Sequence, residues 1–370
     1  MKNIVYLVST LKRTGPTNQL FNIVSNLDRN MYNFKVITLS PEPEDSLIEK
    51  FLGNNIEVKS LQLSRAEGIL TGPKKLKKIL NEFKPDIIHT QGIRSDFMSA
   101  SFLKEYKRVA TLRNYPLLDY VMTYGKIVGK FMAYVHLNVL RKIEAPVACS
   151  YSISKMVDKH NVKTSVVQNG VDTNNFFPIS DIQKKKLREE LNLPHDKKII
   201  ISVGHLSSRK DPEKVIRGFV NSNASENGEL ILIGDGHLRN ECNHFAQKYD
   251  NVKILGRTDK VSDYLRASDY FISASKAEGF PNSVLEALAS GLPICLSDIE
   301  PHKEFFKFDD QIGVLFKTEN ENSLIIKLND LIANDNYEEI KNSTISVIEK
   351  HLSAKKMSEN YMAIYEKISH

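Results

Sequence analysis

Apolar positions along this chain alternate between two periods. Short β-branched runs at 3–9, 34–39, 86–89, 108–112 and 146–149 predict strands. Amphipathic stretches lie between them: in 18–27, Leu20, Ile23, Val24 and Leu27 fall at i, i+3, i+4 and i+7, one face of a helix. Strand alternating with helix predicts βαβ units, hence a parallel sheet with right-handed crossovers. Residues 1–10 carry one lysine before an apolar stretch too short for a signal core with its cleavage site, and read as a first buried strand.

The alternation breaks into turn residues from Asn169-Gly170-Val171-Asp172 to Phe177-Pro178, followed by a polar, lysine-rich helix that reads as a linker. It resumes at Lys198, with strands predicted at 199–203, 230–233, 252–255, 270–273, 293–296 and 313–315. The expected fold class is α/β, with two successive doubly wound Rossmann-like domains. At 370 residues the chain exceeds the about 250–300 residues that a single core usually supports, which agrees. No segment approaches the roughly 18–20 apolar residues needed to span a bilayer.

Composition adds little beyond exclusions. With 41% hydrophobic and 26% charged residues the chain is an ordinary globular protein, not a disordered or fibrous one. The net charge of +6 clusters in Lys74-Lys75-Leu76-Lys77-Lys78, Lys184-Lys185-Lys186 and around Arg141-Lys142. Such runs are solvated helix faces, or they favour phosphate-bearing ligands or an anionic membrane; the bias is too weak to argue for nucleic acid. Cys149, Cys242 and Cys295 are far apart, lack metal-ligand spacing and read as reduced core thiols of a cytosolic protein.

In open α/β sheets ligands bind beyond the carboxyl ends of the strands. Four strand ends of the second half carry unusual residues: Gly204 to Pro212, Gly234-Asp235-Gly236, Gly256-Arg257-Thr258-Asp259, and Glu278 to Glu286. Arg209 and Lys210 could share the oxygens of a diphosphate, whereas a plain cation pair is unfavourable just ahead of a helix. Glu278 and Glu286 stand eight positions apart across a glycine turn and a predicted helix start, whose free N–H groups suit an anion. A capping box from Ser283 to Glu286 is the alternative reading of the same residues. In the first half, Thr14-Gly15-Pro16-Thr17 opens a helix after the first strand, either for close backbone approach to a ligand or as a simple connection.

In their order and spacing, the first-strand loop, Asn169 to Asp172, Gly204 to Lys210, Gly234 to Arg239, Gly256-Arg257 and the E-x7-E run from Glu278 to Glu286 resemble the family-4 glycosyltransferases. The resemblance covers nearly the whole chain. It implies the GT-B architecture, two Rossmann-like domains facing a central cleft. Residues 1–170 would form the acceptor-side domain, joined by a C-terminal helix at about 352–370, and 171–351 the nucleotide-sugar domain. It also implies transfer with retention of anomeric configuration. Arg209 and Lys210 would bind the donor diphosphate and stabilise the leaving nucleotide, and Glu278 would hold donor-sugar hydroxyls. Gly279, Phe280 and Asn282 would offer backbone contacts, Glu286 would accept from the ribose, and Gly204, Arg257 and Thr258 would complete the donor site. Gly15 would approach the donor phosphate from the first domain. No Asp-x-Asp occurs, so no metal or other cofactor is expected, and the two cations would take a metal's place.

One departure stands out. Relatives often carry first-domain histidines where this chain has Arg113 and Gln91. Arg113 would bind an acidic donor or acceptor or a phosphate, or else form a structural ion pair; both readings are open. His89, flanked by isoleucines on its strand, reads as a core or supporting residue. The helical stretch 117–142, with Lys126, Lys130, Arg141 and Lys142 among apolar residues, reads either as a first-domain helix with a buried stripe or as a face resting on anionic lipid. The expected activity is transfer of a hexose or N-acetylhexosamine from a nucleotide-sugar, a UDP-sugar first among them, to a glycan or polyprenyl-diphosphate-linked acceptor in bacterial surface polysaccharide or glycolipid synthesis. The expected place is the cytoplasm, with peripheral contact at the inner membrane face. A sugar phosphorylase or a nucleotide-sugar epimerase of the same fold is the alternative, and a non-catalytic scaffold a third.

Overall fold

A computed structural model describes residues 1–64, 67–68 and 71–369. Seven parallel strands form the first sheet: β1 (Lys2–Val8), β2 (Tyr32–Thr38), β3 (Glu57–Ser60), β4 (Ile87–Gln91), β5 (Lys107–Leu112), β6 (Ala145–Ala148) and β7 (Ser165–Val166). Their spatial order is β3-β2-β1-β4-β5-β6-β7. The second sheet has six, β8 (Lys198–Val203), β9 (Gly228–Ile233), β10 (Val252–Gly256), β11 (Tyr270–Ser273), β12 (Ile294–Ser297) and β13 (Gly313–Phe316), in the order β10-β9-β8-β11-β12-β13. Both are doubly wound parallel sheets. Strand order reverses between β1 and β4 and between β8 and β11, and the loops leaving those strands diverge to open a crevice.

The central strands are apolar on both faces because helices cover both, and β9 is buried along its whole length. The edge strand β3, Glu57-Val58-Lys59-Ser60, alternates exposed and half-buried residues, and β7 has two residues. Neither carries the apolar run from which strands are predicted, and both were absent from the expectation.

The chain divides into two compact units, Met1–Gly170 with Ala354–His370, and Val171–Ser353. In the first, the helix Ala354–Ser369 sends Met357, Tyr361 and Tyr365 into the core beside Tyr6 and Ile87. The buried Tyr365 hydroxyl hydrogen-bonds both Tyr6 (2.8 Å) and His89 Nδ1 (2.7 Å), while His89 Nε2 reaches Thr111 (2.8 Å), which also meets the Tyr361 hydroxyl (2.9 Å). Burial, reinforced by the positive charge of Arg113, lowers His89 to about 3, so it is a neutral core residue.

The stretch 117–142 is two helices rather than one. Pro116–Tyr124 and Lys126–Leu140 meet at Gly125, whose φ of +80° lies in the left-handed region. They pack so closely that a Cβ on Gly129 would stand 2.3 Å from the Tyr120 carbonyl oxygen. Among the described residues, no helix is long and apolar enough to cross a membrane.

Candidate active site

The second unit gathers its polar loops at the β8/β11 reversal. The loop after β8 is stitched to its neighbour by backbone bonds from Gly204 N–H to the Ile233 carbonyl (2.9 Å), Leu206 N–H to Asp235 (3.0 Å) and Leu238 N–H to Leu206 (3.1 Å). Glycine is required where these strands of chain touch. A Cβ on Gly234 (φ +146°) would lie 1.8 Å from the Gly204 carbonyl oxygen. Gly204 in turn leaves room for Lys210, whose Cε would be 3.3 Å from a Cβ there. The Lys276 N–H donates to the Arg209 carbonyl (2.8 Å) and the Lys276 ammonium meets Asp211 (2.8 Å), tying this loop to the one after β11.

That tie brings together the three residues expected to be catalytic. Arg209 Nη1 donates to Glu278 Oε2 (2.9 Å) and to the Ala277 carbonyl (2.8 Å), and Lys210 Nζ lies 2.6 Å from Glu278 Oε1. Glu278 is 6% exposed at its side chain. Burial pushes its carboxyl up, but Lys210 and Arg209 outweigh burial and hold it down at about 2. It is therefore an anion at neutral pH and no proton donor there.

The helix that follows is Asn282–Ala289, and its N-cap position is Pro281, which contributes no side-chain cap. The Ser283–Glu286 capping box is thereby excluded, because Ser283 already lies inside the helix. Glu286 is raised to about 7 by burial, with Lys210 pulling in the opposite sense, so its two protonation states are nearly balanced at neutral pH. Phe280 is buried and stacks on Phe305 at 4.3 Å, which anchors the turn between Glu278 and the helix. At the end of β10, Arg257 is exposed and Thr258 accepts from Lys260 N–H (3.1 Å).

Sequence reasoning missed His302. It is fully buried, its Nδ1 donates to the Ser297 carbonyl (2.9 Å), and Nε2 has no partner. Burial lowers it to about 4, with Glu278 acting to raise it.

In the first unit a cavity of about 400 Å³ opens at the β1/β4 reversal. Gln91 and Arg113 line it together with Thr14 and Pro16, which flank Gly15, and the cations of Lys12 and Arg94. Gln91 Nε2 donates to the Pro16 carbonyl (3.0 Å), and its Oε1 accepts from Arg113 Nε (2.9 Å). Arg113 Nη1 donates to Asn169 Oδ1 (2.6 Å), and Nη2 has no partner. Its two partners are neutral amides. The structural ion pair is thus not formed: among the described residues no carboxylate pairs with Arg113. Lys12 and Asn169 were not expected here, because only the sheet order brings them beside Arg113.

Both halves of the chain are matched by known proteins. Residues 13–175 match the model of Glycosyltransferase Family 4, and residues 183–346 that of Glycosyl transferases group 1. The chain belongs to the family-4 glycosyltransferases. This glycosyltransferase is 26% identical to the O-antigen biosynthesis glycosyltransferase WclY of Escherichia coli, over 99% of this chain and 98% of that protein. It is 33% identical over 37% of its length, and of that protein's, to the UDP-Gal:alpha-D-GlcNAc-diphosphoundecaprenol alpha-1,3-galactosyltransferase of Escherichia coli. Its fold superposes on Anabaena Alr3699/HepE in complex with UDP-glucose with a TM-score of 0.83 and 17% identity, covering 99% and 100% of the two chains. The shared fold is GT-B.

Proposed function

We propose that this glycosyltransferase moves a hexose or N-acetylhexosamine, with retention, from a UDP-sugar to a lipid-linked glycan during assembly of a bacterial surface polysaccharide. The observation that carries the donor half is the Arg209–Glu278–Lys210 cluster. Two cations converge on one buried anion where a doubly wound sheet binds ligands, and each has donors left for diphosphate oxygens. Glu278 is already ionised and oriented to accept hydroxyls of the donor sugar, and the first turn of Asn282–Ala289 offers N–H groups to phosphate. Glu286 accepts from the ribose in its ionised form. The relatives with UDP-galactose and UDP-glucose in their names support uridine as the base.

The acceptor hydroxyl oxygen forms its bond to the sugar C1 on the face from which the diphosphate departs, the C1–O bond to the diphosphate breaks, and the acceptor proton passes to a phosphate oxygen of the leaving UDP. Arg209 and Lys210 stabilise the charge that develops there. On the acceptor side, Arg113 lines the first unit's cavity and keeps a buried Nη2 without a partner, which suits an acceptor phosphate. The relatives named for diphosphoundecaprenol acceptors and O-antigen synthesis support a polyprenyl-diphosphate carrier, and with it work at the cytoplasmic face of a membrane.

Thermal-shift screening of UDP-, GDP- and ADP-sugars, followed by NMR of the product's anomeric proton, tests this reading. A UDP-sugar should raise the melting temperature by mass action and give an α-linked product from an α-linked donor. Stabilisation by none of the nucleotides, or inversion at C1, would refute it.

A further inference from the structure

Large apolar side chains exposed among the described residues concentrate on the hairpin formed by Pro116–Tyr124 and Lys126–Leu140. Ile127 is 87% exposed, Phe131 70% and Met122 56%, and Tyr124, Val128 and Tyr134 join them around the Gly125 turn. Monomeric proteins seldom leave such contiguous apolar surface bare. This is no loosely held segment. Its base is fastened by buried polar bonds from the Tyr120 hydroxyl to His136 Nδ1 (2.8 Å), from His136 Nε2 to Asp96 (2.7 Å), and from Thr90 on β4 to Asp96. The inner stripe of Ala133, Leu137 and Leu140 is fully buried, so the outward face is surplus to the fold's own packing.

Charge decides what this face suits. From 120 to 143 the chain carries Lys126, Lys130, Arg141 and Lys142 and not one carboxylate. Lys126 and Lys130 are exposed beside Ile127 and Phe131 at the tip, and Tyr124 and Tyr134 flank them. Apolar residues to enter the acyl boundary, tyrosines at headgroup depth and cations for anionic headgroups are the components of an interfacial anchor. A protein partner would favour a mixed polar rim instead.

We propose that the tip of this hairpin docks the enzyme on an anionic phospholipid bilayer. Pro116, Asp119, Tyr120 and His136 at the hairpin's base also line the cavity that holds Arg113. Docking therefore sets that cavity beside the leaflet, where the sugar of a membrane-borne acceptor lies. The link to an acceptor rests on the proposed function; the docking itself does not.

Flotation of the whole chain with vesicles tests it, read without donor or acceptor. The protein should float with phosphatidylcholine vesicles containing phosphatidylglycerol, not with phosphatidylcholine alone, and high salt should release it. Lys126→Gln and Lys130→Gln should each weaken binding about fivefold, and the Ile127→Ser/Phe131→Ser double variant by more than about tenfold. These side chains are exposed, so unchanged melting temperatures should verify the fold, and transfer to a water-soluble acceptor should continue. Failure of the wild type to float with anionic vesicles, or undiminished binding by the double variant, would overturn the proposal. So would a wild-type dimer that the double variant converts to monomer, because a second copy would then cover this face. Loss of transfer with flotation intact would instead count against the proposed function.

Discussion

Lys210 Nζ lies 2.6 Å from Glu278 Oε1 while Arg209 takes the other carboxylate oxygen at 2.9 Å, so one buried anion fixes both cations. Removing Lys210 leaves the buried Glu278 carboxylate with Arg209 as its remaining cation. Lys210→Ala should therefore cost about 1.5–3 kcal/mol in denaturant unfolding, the loss of one charge-assisted bond. Combined with Glu278→Gln the loss should be smaller than the sum of the single losses, a coupling that a double-mutant cycle measures. Each single variant should also lower turnover by about 10²–10³-fold.

Glu286 gives the enzyme a pH dependence with a definite sign. Burial raises its carboxyl to about 7, so the ionised form, to which the proposed function assigns the ribose hydroxyls, is depleted as pH falls below that value. Affinity for UDP should then drop by about tenfold per pH unit on the acid side. Glu286→Gln should flatten the profile, and calorimetric titration across the neutral range checks both.

The Glu278 shift has the opposite sign and acts on stability. Its folded-state carboxyl is held at about 2, below the ordinary 4.5, so its contribution is fully present above the unfolded value and is lost as pH falls from there toward 2. Acid titration of the wild type should show this loss, and Glu278→Gln should remove that part of the slope.

Arg113 holds two neutral amides, lines the first unit's cavity and keeps one buried nitrogen unpartnered. Arg113→Gln should raise KM for a phosphate-bearing acceptor by about tenfold or more, the loss of one charge-assisted contact. Affinity for the nucleotide-sugar should stay unchanged. Steady-state kinetics with each substrate varied in turn separates the two.

Tyr365 joins Tyr6 and His89 through a single buried hydroxyl. Tyr365→Phe leaves both partners short of a hydrogen bond and should cost about 1–3 kcal/mol in thermal or denaturant unfolding.

What was legible in advance follows from where information sits in a chain. The central strands announced themselves because both faces are buried, whereas β3 exposes alternate residues and β7 has two, too little for periodicity to register. Arg209 and Lys210 stood out because cations sit oddly ahead of a helix start, and Glu278 because of its spacing from Glu286 across a glycine turn. Their mutual contact came from the backbone bond between Lys276 and Arg209, which no spacing reveals. Asn169 and Lys12 join Arg113 only through strand order, and His302 shows its interest only once Nε2 is seen buried without a partner. The long helix expected over 117–142 breaks at Gly125, a residue whose positive φ the apolar pattern around it concealed.

The account stands or falls on whether Arg209 and Lys210 grip a nucleoside diphosphate. Calorimetric titration of UDP into the wild type and into Arg209→Ala, with folding of both verified by thermal melting, decides this most directly. The expected result is saturable one-site binding by the wild type without added metal, unaffected by chelator, and at least about tenfold weaker binding by the variant. Equal affinity for the two proteins, or no binding by the wild type, would contradict it.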